Sequence, residues 1–152
     1  MLDPFAFYSR LASAAVGIAG TTLRASETLD ASREVIARRV EMMGEAARSP
    51  LDGNYAELGR MMPEKIDAFA RAGAAVAEDW WALQSACMAE MQHMGAIVLQ
   101  GRPPSITELL ALWQRNAAFG LRIFERATAI NDKGLRPIHA TATANAKRLK
   151  HV

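Results

Sequence analysis

Few residues of this chain could bind a metal. Glu90 and His93 are three positions apart in a region of helical periodicity, so both project from one helix face, as in the Glu-x-x-His pairs of di-iron bundles. A di-iron site needs two such pairs, and the sequence contains one. His139 and His151 have no acidic residue within four positions. We therefore predict no metal site and no cofactor, and we interpret Glu90 and His93 as the polar edge of an amphipathic helix.

Nucleophilic catalysis is not indicated either. Cys87 and His93 are six residues apart, about 240° around a helix, so their side chains diverge. The sequence lacks both the G-x-x-x-x-G-K phosphate loop and the G-x-S-x-G elbow. A single cysteine excludes an internal disulfide and indicates a cytosolic setting, so we expect Cys87 to be a buried thiol. We predict that the protein is not an enzyme; the enzymatic alternative is a ferritin-like metal enzyme that uses Glu90 and His93.

The elements that carry these residues are predicted to be helices. Of the 152 residues, 51% are apolar and 30 are alanine, the strongest helix former. Apolar residues recur every three to four positions, and no alternating strand pattern competes with this period. We predict an all-α fold of long amphipathic helices that form a helical bundle or a coiled-coil-like assembly.

Glycine, proline and capping residues set the predicted helix boundaries. Asp3 can cap a helix that starts at Pro4, and the stretch 17–22 leaves open whether this helix continues to Arg48. Residues 49–54 contain Pro50 and an Asp-Gly-Asn turn, and therefore form a loop. A short helical turn follows at residues 55–61.

Two further helices are predicted in the second half of the chain. One runs from Pro63 to about Leu99, with Gly101 as its C-terminal stop. The next opens with a capping box at Ser105 and Glu108 and ends near residues 133–134. The remaining segment, 138–150, has little to bury, and we expect a separate short helix that frays.

The apolar stripe of the helix from Pro63 is wider than a two-helix seam requires. Trp80 and Trp81 lie 100° apart around the helix, so only a broad partner can bury both. Such residues suit either the protein's own core or contact with further copies or a hydrophobic body. The candidate hydrophobic-surface or oligomer-contact residues are Ile66, Phe69, Val76, Trp80, Trp81, Leu83, Met91, Met94, Leu109, Leu110, Trp113, Ile123 and Phe124.

The net charge of +2 conceals a strong asymmetry. Residues 1–132 contain 13 basic and 16 acidic residues, giving −3, whereas residues 133–152 contain five basic and no acidic residues, giving +5. No aromatic residue lies among these basic ones, which argues against a nucleic-acid-binding domain. We predict a basic C-terminal tail that makes only weak, salt-sensitive contact with DNA. Its basic residues are Lys133, Arg136, Lys147, Arg148 and Lys150.

No segment is predicted to span a membrane. A spanning helix needs about 20 apolar residues, and the longest run without a charged residue, Leu11 to Leu23, has 13. No excess of positive charge precedes this run, so we do not interpret it as a signal peptide. We expect a cytoplasmic protein.

Two longer phrases and one short phrase carry a family resemblance. The phrases Met62-Pro-Glu-Lys-Ile-Asp-Ala-Phe69 and Pro137-Ile-His-Ala-Thr-Ala-Thr-Ala-Asn-Ala-Lys-Arg-Leu149, with Ala25-Ser-Glu-Thr28, resemble phasins, the bacterial proteins that coat polyhydroxyalkanoate storage granules. The resemblance covers about residues 24–149. The matching positions are Pro63, Glu64, Lys65, Phe69, Pro137, His139, Asn145, Lys147, Arg148 and Leu149.

The resemblance implies a non-enzymatic protein at the granule surface. Its amphipathic helices would self-associate, adsorb to the polyester and control granule size and number, with granule enzymes as further candidate partners. We divide the chain into an N-terminal amphipathic segment (1–23), which lies outside the resemblance, a phasin-like helical domain (24–134) and the basic tail (135–152). The alternative is a helical oligomeric scaffold or interaction protein that binds no polymer.

Overall fold

The computed structural model describes residues 3–150, in which every regular element is a helix. The helices are α1 (Pro4–Arg48), α2 (Tyr55–Gly59), α3 (Met61–Val98) and α4 (Ile106–Leu149). The predicted all-α class is confirmed. Residues 1–2 of the predicted N-terminal segment and residues 151–152 of the predicted basic tail, His151 among them, lie outside the described residues. The predicted division into three parts stays a prediction.

Helix α1 is one continuous helix from its cap to the loop. The Asp3 carboxylate accepts a hydrogen bond from the Phe5 backbone N–H at 3.0 Å, and Pro4 occupies the first helical position, where its missing N–H has no cost. Gly17 is helical, as is the rest of the stretch 17–22, which settles the question left open by the sequence. The helix ends at Arg48, before Pro50.

The predicted loop and the helical turn after it are confirmed. Residues 49–54 reverse the chain, and the Asp52 N–H donates to the Ser49 carbonyl at 3.0 Å. The Asn54 side chain then caps α2 by accepting from the Glu57 N–H at 3.1 Å. A Cβ added at Gly53 would lie 2.8 Å from the Ala46 Cβ and the Tyr55 ring, so this turn requires glycine.

The boundary between α3 and α4 also follows the sequence signals. Helix α3 starts at Met61, two residues before Pro63, and Gly101 follows it in the left-handed region at a φ of 67°. The capping box is formed in both directions: the Ser105 N–H donates to the Glu108 carboxylate at 2.7 Å, and the Glu108 N–H donates to the Ser105 hydroxyl at 3.3 Å.

The predicted end of the fourth helix near Lys133 is wrong. Helix α4 continues through Gly134 and Pro137 to Leu149, so no separate short helix is formed. The expectation that this segment has little to bury is also wrong: Asn145 and Ala146 are buried, and Leu149 is only 1% exposed. Packing of the last turns offsets the N–H that Pro137 lacks, which local propensity alone does not reveal.

The described chain forms two compact units. Unit 1 contains residues 3–18 and 76–131, and unit 2 contains residues 19–75 and 132–150. Each unit therefore has three long helical segments, from α1, α3 and α4, and unit 2 also contains α2. In unit 2, a small core forms from Val35, Met42, Ala146 and Leu149, against which Ala31 and Leu58 pack.

Candidate functional site

Unit 1 exposes an apolar surface on all three of its helical segments. Ala14 and Leu121 are the only fully buried apolar residues in its described part, and others such as Leu83, Leu112 and Phe119 are half-buried. We call the exposed set the unit-1 apolar surface. Its large side chains are Phe5, Tyr8, Leu11, Val16, Ile18, Trp80, Trp81, Met88, Met91, Met94, Val98, Leu99, Ile106, Leu109, Leu110, Trp113 and Phe124.

All three tryptophans belong to this surface. Trp80, Trp81 and Trp113 are 58%, 66% and 69% exposed. Trp80 and Trp81 lie 100° apart on α3, and Met88 projects within about 20° of Trp81, so an apolar sector of roughly 100° faces solvent. The inward side of α3 carries the buried Glu90 and the half-buried Leu83. The wide apolar stripe of α3 therefore extends from the side that packs against the other helices of unit 1 to the side that faces solvent.

Ion pairs join the helices of unit 1. Arg10 of α1 binds Glu125 of α4 through two hydrogen bonds, of 2.8 and 2.5 Å, and lowers the pKa of the Glu125 carboxyl. Arg115 of α4 donates to both carboxylate oxygens of Glu90 on α3, at 2.8 and 3.1 Å, and this lowers the pKa of Glu90. These bonds connect α1 to α4 and α3 to α4 within unit 1, while the residues of the unit-1 apolar surface face solvent.

The structure places most of the predicted contact residues at the surface. Ten of the thirteen are exposed: two of them, Ile66 and Phe69, lie in unit 2 and the other eight in unit 1, where Met94 and Phe124 are the least exposed, at 37% each. Val76, Leu83 and Ile123 are half-buried. None of the thirteen is fully buried. Their role as hydrophobic-surface or oligomer-contact residues stays a prediction.

Unit 2 brings the resemblance-bearing phrases into contact. Glu64, from the first long phrase, accepts from Arg148 at 2.7 Å and from Asn145 at 2.9 Å, both from the second. Arg39 of α1 donates to the same Glu64 carboxylate at 2.7 Å, and Arg148 also donates to Glu57 of α2 at 2.6 Å. We call these five residues the Glu57–Glu64 cluster. It holds the last turn of α4 against α1, α2 and α3.

Arg39, Glu57 and Asn145 of the cluster are buried, and Glu64 and Arg148 are half-buried, so the pairing of these charges matters. The Arg39 side chain is 5% exposed and that of Glu64 is 19% exposed. Burial opposes ionisation of Glu64, but hydrogen bonds from Arg148 and Arg39 outweigh it and hold the pKa of the Glu64 carboxyl below its ordinary value. The Nε atoms of Arg39 and Arg148 have no hydrogen-bond partner among the described residues. A buried donor without a partner costs about 1–3 kcal/mol, which offsets part of the stabilisation from the ion pairs.

The third phrase joins the same unit through a histidine. The Thr28 hydroxyl lies 3.0 Å from Nδ1 of His139, and it donates to the Arg24 carbonyl at 2.6 Å, so it accepts from the ring. Nε2 of His139 lies 3.8 Å from the Glu27 carboxylate. All three resemblance phrases therefore contribute contacts to one unit.

The predicted basic tail is largely paired with acidic residues. Arg148 belongs to the Glu57–Glu64 cluster, Arg136 lies 2.6 Å from Asp132, and Lys150 lies 3.4 Å from Glu34. Lys133 also has an interaction partner. Lys147 is exposed and forms no ion pair with residues 3–150. The predicted contact with DNA stays a prediction.

Sequence reasoning missed the Glu57–Glu64 cluster. The signal was present in the charge asymmetry, because a segment with five basic and no acidic residues must find its acids elsewhere if it packs. What the sequence does not reveal is which acids these are: Glu57 and Glu64 are 91 and 84 residues away from Arg148.

The residues considered for metal binding are not assembled. Glu90 faces Arg115, and within residues 3–150 no group of three or more His, Cys, Asp or Glu side chains is placed to hold a metal ion. Cys87 is half-buried.

Comparison with known protein families, curated proteins and solved structures finds no match to this chain. Among the described helices, none is both long enough and apolar enough to cross a membrane.

Proposed function

We propose that this protein is a non-enzymatic, phasin-like coat of polyhydroxyalkanoate granules, and that the unit-1 apolar surface is its contact with the polyester. The proposal joins two independent supports. One is the resemblance of the phrases around Glu64 and Arg148 to phasins. The other is the amount of large apolar side chain that unit 1 presents to solvent.

The observation that carries the proposal is the imbalance within unit 1. Within residues 3–18 and 76–131, seventeen large apolar residues are exposed, and Ala14 and Leu121 are the only apolar residues that are fully buried. Complete removal of one large apolar side chain from water is worth about 1.5–3 kcal/mol. Adsorption to a flat hydrophobic body collects such gains from many side chains at once and requires no shaped pocket. On a granule this surface would be removed from water, whereas in an isolated monomer it stays exposed.

The exposed charged residues of unit 1 would keep the coated granule dispersed in water. Glu78, Arg122 and Arg126 are exposed on the same helices that carry the tryptophans. A coated particle that presents charge to water resists fusion with its neighbours, because like-charged coats repel and hydrated groups must be stripped before contact. Control of granule size and number would follow from this exclusion.

The specific contacts in unit 2 support a complementary role. The Glu57–Glu64 cluster and the Thr28–His139 bond hold this unit together with directional polar contacts. A protein that adsorbs through apolar side chains needs part of its fold to survive contact with an apolar phase. We assign that role to unit 2, whose motif residues then act in packing and not in catalysis.

An oligomeric scaffold is the second candidate, and one observation favours it. With about 250 Å² for a complete tryptophan side chain, the 58–69% exposure of Trp80, Trp81 and Trp113 amounts to roughly 480 Å². A standard interface buries about 800 Å² on each partner. The tryptophans alone would thus supply about 60% of the area that a stable contact between copies requires.

The experiment that separates the two candidates is localisation of the fluorescently tagged chain. In cells that accumulate polyester we expect the signal at granules, and in the same cells without polymer we expect it dispersed. A signal dispersed in both states, together with a fixed assembly of the purified chain, would favour the scaffold. A variant with Trp80, Trp81 and Trp113 changed to glutamine should lose granule localisation, whereas a Lys147→Gln variant should retain it.

A further inference from the structure

Unit 2 contains a groove that the granule proposal does not use. It has a volume of about 410 Å³ and is lined by residues of α1, α3 and α4, all within unit 2. Its apolar lining includes Ile36, Val40 and Met43 from α1, Phe69 from α3 and Ile138 from α4. Ile36, Val40 and Phe69 are each more than half exposed, so the groove is open to a ligand.

The charged residues of the lining leave one uncompensated positive charge. Arg39 and Glu64 line the groove and bind each other at 2.7 Å, so their charges offset. Lys65 also lines the groove and is exposed. No carboxylate of residues 3–150 lies within ion-pair distance of its ammonium group. A cation beside apolar walls matches a molecule that has an apolar tail and one anionic head.

The volume indicates the size of that molecule. Pockets for small molecules range from about 300 to 1,000 Å³, and this groove lies at the lower end. A groove of this size, open along apolar side chains of three helices, suits a single extended acyl chain.

We propose that this groove binds a single-chain anionic amphiphile, with its acyl tail along Ile36, Val40 and Phe69 and its carboxylate beside Lys65. The site is separate from the unit-1 apolar surface and does not depend on the proposed granule function. It would give the protein a stoichiometric binding site for a soluble carboxylate in addition to a non-specific adsorbing surface.

The test is calorimetric titration of the purified full chain with sodium decanoate, below the concentration at which decanoate aggregates. We expect saturable binding of one decanoate per chain. Val40→Trp, which places a large side chain in the groove, should abolish it. Lys65→Gln should weaken it about fivefold, as loss of one partly exposed charge pair would. Decylammonium, which has the same tail and a positive head, should bind more weakly than decanoate.

Controls separate this site from the rest of the molecule. Lys147→Gln removes another exposed lysine and should leave decanoate binding unchanged, as should Trp113→Gln on the unit-1 apolar surface. If Val40→Trp loses helical structure by circular dichroism, Ile36→Trp and Lys65→Gln replace it. No saturable binding, or binding that these groove variants leave unchanged, would overturn the proposal. The proposal would also be overturned if the wild type did not bind decanoate and Val40→Trp changed the oligomeric state. The groove would then be a contact between two copies of the chain. No polyester is present, so such a failure would leave the granule proposal untouched.

Discussion

Replacement of Trp113 by alanine tests whether the unit-1 apolar surface is the part that adsorbs. Trp113 is 69% exposed, which is about 170 Å² if a complete tryptophan side chain has about 250 Å². If a polyester surface covers between half and all of this area, at about 25 cal/mol per Å², the indole contributes about 2–4 kcal/mol. Since 1.4 kcal/mol is tenfold, Trp113→Ala should lower the partition coefficient onto polyester by roughly 30- to 1,000-fold.

The assay is depletion of the purified protein from solution by polyhydroxybutyrate particles, with the partition coefficient read from the initial slope. Phe69→Ala is the matched control, because Phe69 is aromatic and 63% exposed but lies in unit 2. We expect this control to change the partition coefficient less than threefold. The free energy of unfolding of Trp113→Ala should stay within about 0.5 kcal/mol of the wild type, because the side chain is at the surface. Equal partitioning of Trp113→Ala and the wild type, or a larger loss in Phe69→Ala, would refute the assignment to unit 1.

Three further predictions concern the fold. Glu64→Gln leaves the buried Arg39 and the partly exposed Arg148 with Glu57 as their remaining acidic partner. It should lower the free energy of unfolding in urea by about 2–4 kcal/mol, a range reduced from the fully buried case because Glu64 and Arg148 are partly exposed. Asp67 forms an exposed pair with Arg71, so Asp67→Asn should cost under 1 kcal/mol; equal effects of the two changes would contradict the role of the cluster. Because folding lowers the pKa of Glu64 from its ordinary 4.5, its contribution should be complete above about pH 5 and should be lost as the pH falls through the lower folded pKa. The difference between wild type and Glu64→Gln in urea unfolding should therefore shrink in acid, and a difference that grows there would reverse the assigned sign. Pro137→Ala restores a backbone N–H inside α4 and should raise the thermal midpoint, with a gain of about 1–2 kcal/mol; a lower midpoint would show that the helix needs the proline.

The helical class and most boundaries could be predicted because their signals are local. Asp3, Asn54 and Ser105 cap helices with their own side chains, and Gly101 takes the left-handed conformation that only glycine adopts easily. Each of these helix ends depends on interactions between residues no more than about four positions apart. A local stretch of sequence is therefore enough to predict them.

The end of α4 could not be predicted because its cause is distant in the chain. Gly134 and Pro137 are local stop signals, but the turns after them pack Leu149 into the core of unit 2 and bind Arg148 to Glu57 and Glu64. Those partners lie more than 80 residues away, and periodicity does not identify them.

The sequence also did not predict which face of each helix points toward the core. In α1 the stripe that includes Ile36 and Met43 is exposed, and the residues one position earlier, Val35 and Met42, form the core. One position is 100° around a helix, so the two stripes are neighbours and have similar composition. The choice between them is made by small residues such as Ala68, which is 4% exposed and lets the helices approach closely, and by Arg39, which must reach Glu64. Periodicity detects that apolar stripes exist, but not which of two adjacent stripes faces inward.

Adsorption through the unit-1 apolar surface is tested most simply by the tryptophan emission of the wild-type chain with and without polyhydroxybutyrate particles. All three tryptophans lie in unit 1 and are 58–69% exposed, so the emission reports on the proposed adsorbing surface and on nothing in unit 2. We expect the particles to retain the protein, the emission to move to shorter wavelengths and quenching by iodide to fall. Protein that the particles do not retain, or that they retain with unchanged emission and quenching, would contradict this expectation.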